Sequence, residues 1–218
     1  MNQTTLYEKG ALVMVAGRPG MGKTSFALDI ACHLAKNSEA NIWVISLEES
    51  KESLMARLQR KNNIYAEYHN LLICDKPLSS IKAIEVLCAG TEKLGGIIID
   101  YLQLISHTGQ PSEDSVTREL KCMAKRLNVP VICTSQISAA FETREDKRPT
   151  LRDLRRYKAI DLDFDQVLLL YRDRYYNSAT PLGDKAECII VRNRYGACRT
   201  VPLMWNPQRL QFSALEDN

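Results

Sequence analysis

The sequence predicts an α/β fold: a mostly parallel twisted sheet flanked by helices, followed by C-terminal antiparallel β-hairpins. Three observations carry this. Apolar, β-prone runs alternate with segments of helical periodicity from Ala11 to Tyr171. The early runs are apolar on both faces, as buried parallel strands are. The last third breaks into short runs separated by turn residues, the mark of hairpins. With no internal repeat and no low-complexity linker, one domain is the economical reading.

The first strand, Ala11-Leu12-Val13-Met14-Val15, leads into Gly17-Arg18-Pro19-Gly20-Met21-Gly22-Lys23-Thr24. This is G-x-x-x-x-G-K-[ST], the phosphate-binding P-loop. Its backbone must turn sharply so that successive N–H groups face an anion, and Gly17, Gly20 and Gly22 remove the Cβ atoms that would block that turn. Lys23 offers a point charge to the β- and γ-phosphates and Thr24 a hydroxyl to Mg²⁺. A helix from Ser25 to Lys36 follows, with Phe26, Ala27, Ile30, Ala31 and Leu34 at helical spacing. Strand, loop and helix in that order put phosphates on a helix N-terminus.

The second strand, Asn41 to Leu47, ends in Glu48 and Glu49, and Ser50 is placed to cap a helix carrying Leu54, Met55 and Leu58. Asn62 to Asn70 reads as loop or a short helical piece. Leu71-Leu72-Ile73-Cys74 is a short strand. Ser79 or Ser80 opens a helix with Ile81, Ile84, Leu87 and Cys88 on one side, expected to end near Gly95-Gly96. Gly96-Ile97-Ile98-Ile99-Asp100-Tyr101 is an apolar strand with Asp at its carboxyl end. Alone that is a weak signal, but beside a P-loop it is the Walker B pattern, whose Asp supports the Mg²⁺ that Thr24 also binds.

His107 to Asp114 is polar loop. Val116, Leu120, Met123 and Leu127 mark an amphipathic helix, and Val131 to Ser135 another buried strand, followed by Gln136. Ile137 to Thr150 is polar without clear periodicity. Leu151 to Lys158 holds four cations. Gln166 to Tyr171 is a strand and Tyr175 to Asp184 a loop. Ala186 to Arg192, Arg199 to Trp205 and Leu210 to Ser213 read as antiparallel strands, joined by Arg194-Tyr195-Gly196 and Asn206-Pro207.

Composition narrows the function classes. A net charge of +3 permits a nucleic-acid partner without arguing for one. The seven cysteines are scattered, with no C-x-x-C pair, and read as reduced core residues of a cytoplasmic protein. His33, His69 and His107 have no cysteine pair beside them, which argues against zinc. No apolar run reaches the length of a membrane span, so no membrane partner is expected.

Several of these stretches together resemble one family, the C-terminal, RecA-like ATPase domain of DnaB-type replicative DNA helicases. The carrying residues are Ala16 to Thr24, Ser46-Leu47-Glu48, Ile99-Asp100-Tyr101-Leu102-Gln103-Leu104, Leu127 to Val131, Ser135-Gln136, Asp146 to Pro149, Asp153-Leu154-Arg155 and Tyr171-Arg172-Asp173. Arg-Pro inside the P-loop and Asp-Tyr-Leu-Gln-Leu after Walker B are far more specific than Walker A alone, and the latter argues against other RecA-like ATPases.

The resemblance implies an ATP-dependent DNA helicase with ATP and Mg²⁺ as cofactors. Gly17, Arg18, Pro19, Gly20, Met21, Gly22, Lys23, Thr24 and Ser25 would form the nucleotide-binding loop, and Thr24 and Asp100 would hold the metal. Lys23 would be catalytic, Glu48 would polarise the attacking water and Gln136 would sense the γ-phosphate. Arg192 and Arg194 would reach the nucleotide of a neighbouring subunit, with Arg192 standing where the family has Lys. Arg155, Arg156 and Lys158 would contact DNA. Implied partners are single-stranded DNA, further copies in a hexameric ring, and a primase or helicase loader.

Three departures qualify the match. The segment between Leu47 and Leu71 is shorter than is usual in the family. Arg156-Tyr157-Lys158-Ala159 stands where the family has Glu-Ser-Gly-Ser. Residues 1–218 are expected to be this single domain, without the family's N-terminal domain and linker helix. The first two leave open a DnaB-derived ATPase that binds DNA or a replication partner without unwinding.

Overall fold

A computed structural model describes residues 8–61, 68–78, 80–106, 113–154 and 163–215. The strands are β1 (Leu12–Gly17), β2 (Asn41–Ser46), β3 (Leu71–Cys74), β4 (Leu94–Asp100), β5 (Val131–Gln136), β6 (Gln166–Arg172), β7 (Lys185–Asn193), β8 (Arg199–Asn206) and β9 (Gln211–Ala214). They form one sheet in the order β3-β2-β4-β5-β1-β6-β7-β8-β9. The first six run parallel, and β7, β8 and β9 are added antiparallel. The α/β class, the parallel sheet and the trailing hairpins are therefore as the sequence predicts.

The helices are α1 (Lys23–Lys36), α2 (Lys51–Arg60), α3 (Ile81–Ala89), α4 (Leu102–Ser106), α5 (Glu113–Leu127) and α6 (Asp173–Tyr176). Alternation along β1 explains the two cores. Val13 and Val15 face α1 and α2, packing with Phe26, Ile30, Leu54 and Leu58. Leu12 and Met14 face the other way, with Ile84 of α3, Ile105 of α4 and Leu120 of α5. Leu54 and Leu58 are fully buried, so truncating either to Ala costs about 2–5 kcal/mol. Ser50 and Ser80 cap α2 and α3, their hydroxyls accepting the backbone N–H of Ser53 and Ala83 at 3.2 Å each.

Two expectations need correction. The helix read as ending near Gly95-Gly96 ends at Ala89, and both glycines lie inside β4. They are there for room: a Cβ on Gly95 would sit 2.6 Å from the Ala40 Cβ, and one on Gly96 3.2 Å from Leu34 Cδ1. The loop expected from Tyr175 to Asp184 starts inside α6, which runs to Tyr176, and Leu102–Ser106, left unassigned by the sequence, forms α4 and buries Leu102 and Ile105. The aperiodic segment after β5 contains a 3-10 turn, Ala139–Thr143, anchored by buried Phe141. Five cysteines are buried and free, and Cys122 and Cys198 are exposed. Among the described residues, no helix is long and apolar enough to cross a membrane.

Candidate active site

Parallel pairing brings four strand ends together. Gly17 at the end of β1 is in register with Gln136 at the end of β5, and Ser46 of β2 with Asp100 of β4. Beyond the carboxyl ends of such strands lies the usual ligand crevice of an open α/β sheet. Here it is a cavity of about 270 Å³, lined among others by Pro19, Lys23, Thr24, Glu48, Asp100 and Gln136.

The P-loop turns through two left-handed glycines, Gly20 (φ 77°) and Gly22 (φ 98°). Gly22 also admits an aromatic ring, since a Cβ there would lie 2.9 Å from Phe212. Phe212 packs edge-on against Phe26 and tilted against Trp205. The C-terminal hairpins thus support the P-loop helix from behind. Arg172 adds to this, donating to the Gly20 carbonyl at 2.6 Å while its guanidinium lies over the Trp205 ring. A neighbouring cavity of about 320 Å³, lined by Arg172, Arg174, Tyr175 and Trp205 among others, contains no motif residue apart from Arg172.

Lys23 is buried, and its ammonium donates to the Arg18 carbonyl at 3.1 Å. Burial pulls its pKa from 10.5 to about 8, against the opposing pull of the Asp100 and Glu48 carboxylates. The Thr24 hydroxyl donates to Asp100 Oδ2 at 2.7 Å. Asp100 is itself buried, and its other oxygen accepts the Thr134 hydroxyl. A hydroxyl and a carboxylate side by side at the cavity floor are hard oxygen donors. They suit Mg²⁺, which takes one or two carboxylates together with substrate phosphates.

The two glutamates after β2 have different environments. Glu49 is fixed: Arg57 of α2 holds it with two bonds of 2.9 Å, and the Ser53 hydroxyl donates to it at 2.7 Å. Ser46 Oγ closes the turn by donating to the Glu49 carbonyl at 2.6 Å and accepting its N–H at 3.1 Å. Glu48 has no hydrogen bond or ion pair among the described residues. Burial, and then the Asp100 and Glu49 carboxylates, push its pKa above the usual range, while Lys23 and Arg57 oppose this. A carboxylate that is unengaged and made more basic is suited to taking a proton.

Thr24, Ser25, Pro19, Gly20, Gly22, Lys23, Glu48, Asp100 and Gln136 line one cavity; Gly17, Arg18 and Met21 do not. The Arg18 side chain turns away, donating to the Ile137 carbonyl at 2.9 Å and to Glu142 at 2.7 Å. Met21 is buried.

Arg192 and Arg194 are not near the cavity either. They close β7, which pairs with the start of β6, and Gln166 of β6 is in register with Val13 near the start of β1. They therefore lie at the opposite end of the sheet, roughly 20 Å from the P-loop by strand length. There Arg192 donates to the Phe164 carbonyl at 2.7 Å and Arg194 pairs with buried Asp165 at 3.1 Å. Arg155, Arg156 and Lys158 lie outside the described residues.

Sequence reasoning missed Arg57, Glu49 and Gln103 as parts of the site. Buried Gln103 of α4 binds the Ser135 hydroxyl at 2.9 Å and the Gln136 carbonyl at 3.1 Å. Its place in the Asp-Tyr-Leu-Gln-Leu stretch was the available signal.

A model of the DnaB-like helicase C-terminal domain matches residues 2–66 and 60–214. The replicative DNA helicase DnaB of Geobacillus stearothermophilus is 35% identical over 246 residues, covering 98% of this chain and 54% of that protein. The replicative DNA helicase DnaC of Bacillus subtilis (strain 168) is 34% identical over the same length and shares. Among solved structures, an ATPase domain superposes with a TM-score of 0.85 at 30% identity, covering 95% of this chain and 86% of that one. A DnaB-like replicative helicase described with its interactions with primase gives 0.84 at 29% identity, covering 96% and 58%. The chain spans about half the length of the curated relatives it matches.

Proposed function

The chain belongs to the DnaB-like helicase C-terminal domain family, and on that premise we propose that it is the ATP-hydrolysing motor unit of a replicative-type DNA helicase, translocating on single-stranded DNA as a ring of copies. The observation that carries this is the Thr24–Asp100 bond at the cavity floor, with Lys23 and Glu48 lining the same space.

The P-loop amides and Lys23 bind the phosphates. Thr24 and Asp100 hold Mg²⁺, which when bound neutralises charge on the phosphate oxygens and orients them. Glu48 orients the attacking water and takes its proton, and the Gln136 amide hydrogen-bonds the γ-phosphate. Arg192 and Arg194 serve the nucleotide of a neighbouring copy. Their distance from the cavity of their own chain supports this. Arg155, Arg156 and Lys158 line the DNA path, supported by their charge density and the family match at Arg155. The chain acts in the cytoplasm, with a primase or helicase loader as a further partner. A second reading, a DNA- or partner-binding ATPase that does not unwind, draws support from the altered stretch Arg156 to Ala159 and the shortened segment before Leu71.

The test is Mg²⁺-dependent ATP turnover with and without single-stranded DNA. Lys23→Ala abolishes turnover, and Glu48→Gln binds ATP but turns it over more slowly, by about 10²-fold or more. Lys23→Ala hydrolysing ATP like the parent overturns the site. Arg155→Ala and Lys158→Ala each lower the slope of log DNA affinity against log salt by about 0.7. DNA-stimulated turnover without strand separation moves the conclusion to the second reading.

A further inference from the structure

The chain leaves β5 through two residues whose backbone hydrogen-bonding groups are all committed. The Gln136 N–H donates to Gln103 Oε1 at 3.3 Å, and the Gln136 carbonyl accepts from Gln103 Nε2 at 3.1 Å. The Ile137 N–H donates to the Gly17 carbonyl at 3.2 Å, and the Ile137 carbonyl accepts from Arg18 at 2.9 Å. One pair of bonds comes from the helix after Walker B and the other from the P-loop. Displacing the main chain here breaks four bonds at once, so the strand exit is a fixed support.

A different path leads out of the phosphate site. Arg18 accepts the Lys23 ammonium on its carbonyl, and its guanidinium passes over the strand exit to Glu142 at 2.7 Å. Glu142 belongs to the 3-10 turn Ala139–Thr143 and also accepts the Tyr176 hydroxyl at 3.2 Å. The Arg18 guanidinium, the largest influence, holds the Glu142 carboxyl below the usual carboxylate range. At the end of the turn Arg144 donates to the Arg148 carbonyl at 3.0 Å and to Asp153 at 2.8 Å. Asp153 accepts the Thr150 N–H at 2.7 Å, and Leu154 beside it is buried. Arg155 comes next. The route from the phosphate lysine to the start of the basic stretch is thus continuous, and its joint is the ion pair between two long, partly exposed side chains.

We infer that the Arg18–Glu142 pair couples the phosphate site to residues 139–154, so that nucleotide and single-stranded DNA alter each other's affinity through it. This rests on the reading above that both are ligands of this chain. Arg18 is then a positioning residue, acting on DNA through Glu142 and on nucleotide through the Lys23 contact.

The test uses the full chain at fixed protein concentration. Affinity for a single-stranded oligonucleotide is measured with and without a non-hydrolysable ATP analogue and Mg²⁺, and affinity for the analogue with and without the oligonucleotide. Linkage requires the two ratios to agree, and coupling of this kind is typically about 5–150-fold. In Glu142→Gln the ratio falls to about 1, while analogue affinity without DNA stays within about twofold of the parent. Tyr176→Phe, which removes the other bond to Glu142, keeps the parent ratio. A residue with only a structural role would shift Tm and both affinities together and leave the ratio unchanged. A parent-like ratio in Glu142→Gln overturns the inference, as does a Tyr176→Phe ratio of 1, which would put the link in α6. A parent that binds both ligands with a ratio of 1 overturns the coupling alone. A parent that binds no nucleotide overturns the functional reading and the coupling with it.

Discussion

Lys23 shows how burial turns a common residue into a conditional one. With its pKa near 8, it is mostly charged only below that pH. A bound polyphosphate favours the ammonium, so binding above pH 8 takes up a proton. The dissociation constant for ATP at constant Mg²⁺ therefore rises between pH 8 and 9.5, by up to about tenfold per pH unit. Lys23→Arg, which does not titrate in this range, removes the steep part; an unchanged profile in that variant assigns the effect elsewhere. For folding the sign is opposite to that for binding. The unfolded chain holds more protons between pH 8 and 10.5, so in the nucleotide-free protein the Lys23 contribution to stability rises through that window. Lys23 and Thr24 were legible in the sequence through the P-loop that opens α1, Asp100 through its place at the end of an apolar strand, and Glu48 through the family resemblance after the second strand. The direction of the Arg18 side chain was not. Its partner Glu142 lies 124 residues away, and no local pattern says which loop will settle beside which.

Gly95 and Gly96 carry the lesson at the scale of elements. A glycine pair after an amphipathic stretch has the form of a helix stop. The same pair also permits close approach, and the Ala40 Cβ at 2.6 Å from an added Cβ shows that this is its role. Gly95→Ala is expected to destabilise the fold by about 1–3 kcal/mol through overpacking. The entropic gain of about 0.4–1 kcal/mol from a stiffer unfolded chain does not offset this. Urea unfolding measures the loss, and Ala40→Gly in the same chain recovers part of it. ATP affinity stays at the parent value, because Gly95 lies at the start of β4 and the site at its end. No loss of stability in Gly95→Ala refutes the packing account. The long strands and helices were legible through their periodicity. The helix α4 was missed because five residues are too few to show a period. The hairpins were found, yet the contact of Phe212 with the P-loop was not, since strand patterns do not say what a strand end covers.

At the scale of the whole molecule, the sheet separates two basic features. Lys23 stands at the carboxyl ends of the parallel strands, and Arg192 and Arg194 stand at the amino ends, held by Phe164 and Asp165. No single copy can bring them to one phosphate. If the arginines act in a neighbour, specific ATPase activity rises with protein concentration. Mixing inactive Arg194→Ala with inactive Lys23→Ala chains then restores part of the activity, since the intact P-loop of the first chain meets the intact Arg194 of the second. A trans arginine is worth about 10³–10⁵ in rate, so even partial complementation is measurable. Activity that is flat with concentration, and silent mixtures, exclude the arrangement. The sheet order has another outcome, for the chain as it is being made. Among the described strands the central one, β1, leaves the ribosome first, yet its partners in the sheet are β5 and β6, which begin at Val131 and Gln166. At about 5–20 residues per second, its second neighbour arrives on the order of ten seconds later. A fully apolar strand, destined for the middle of the molecule, has both edges open until β5 is made and one edge open until β6 follows, and the nascent chain depends on whatever shields it during that wait.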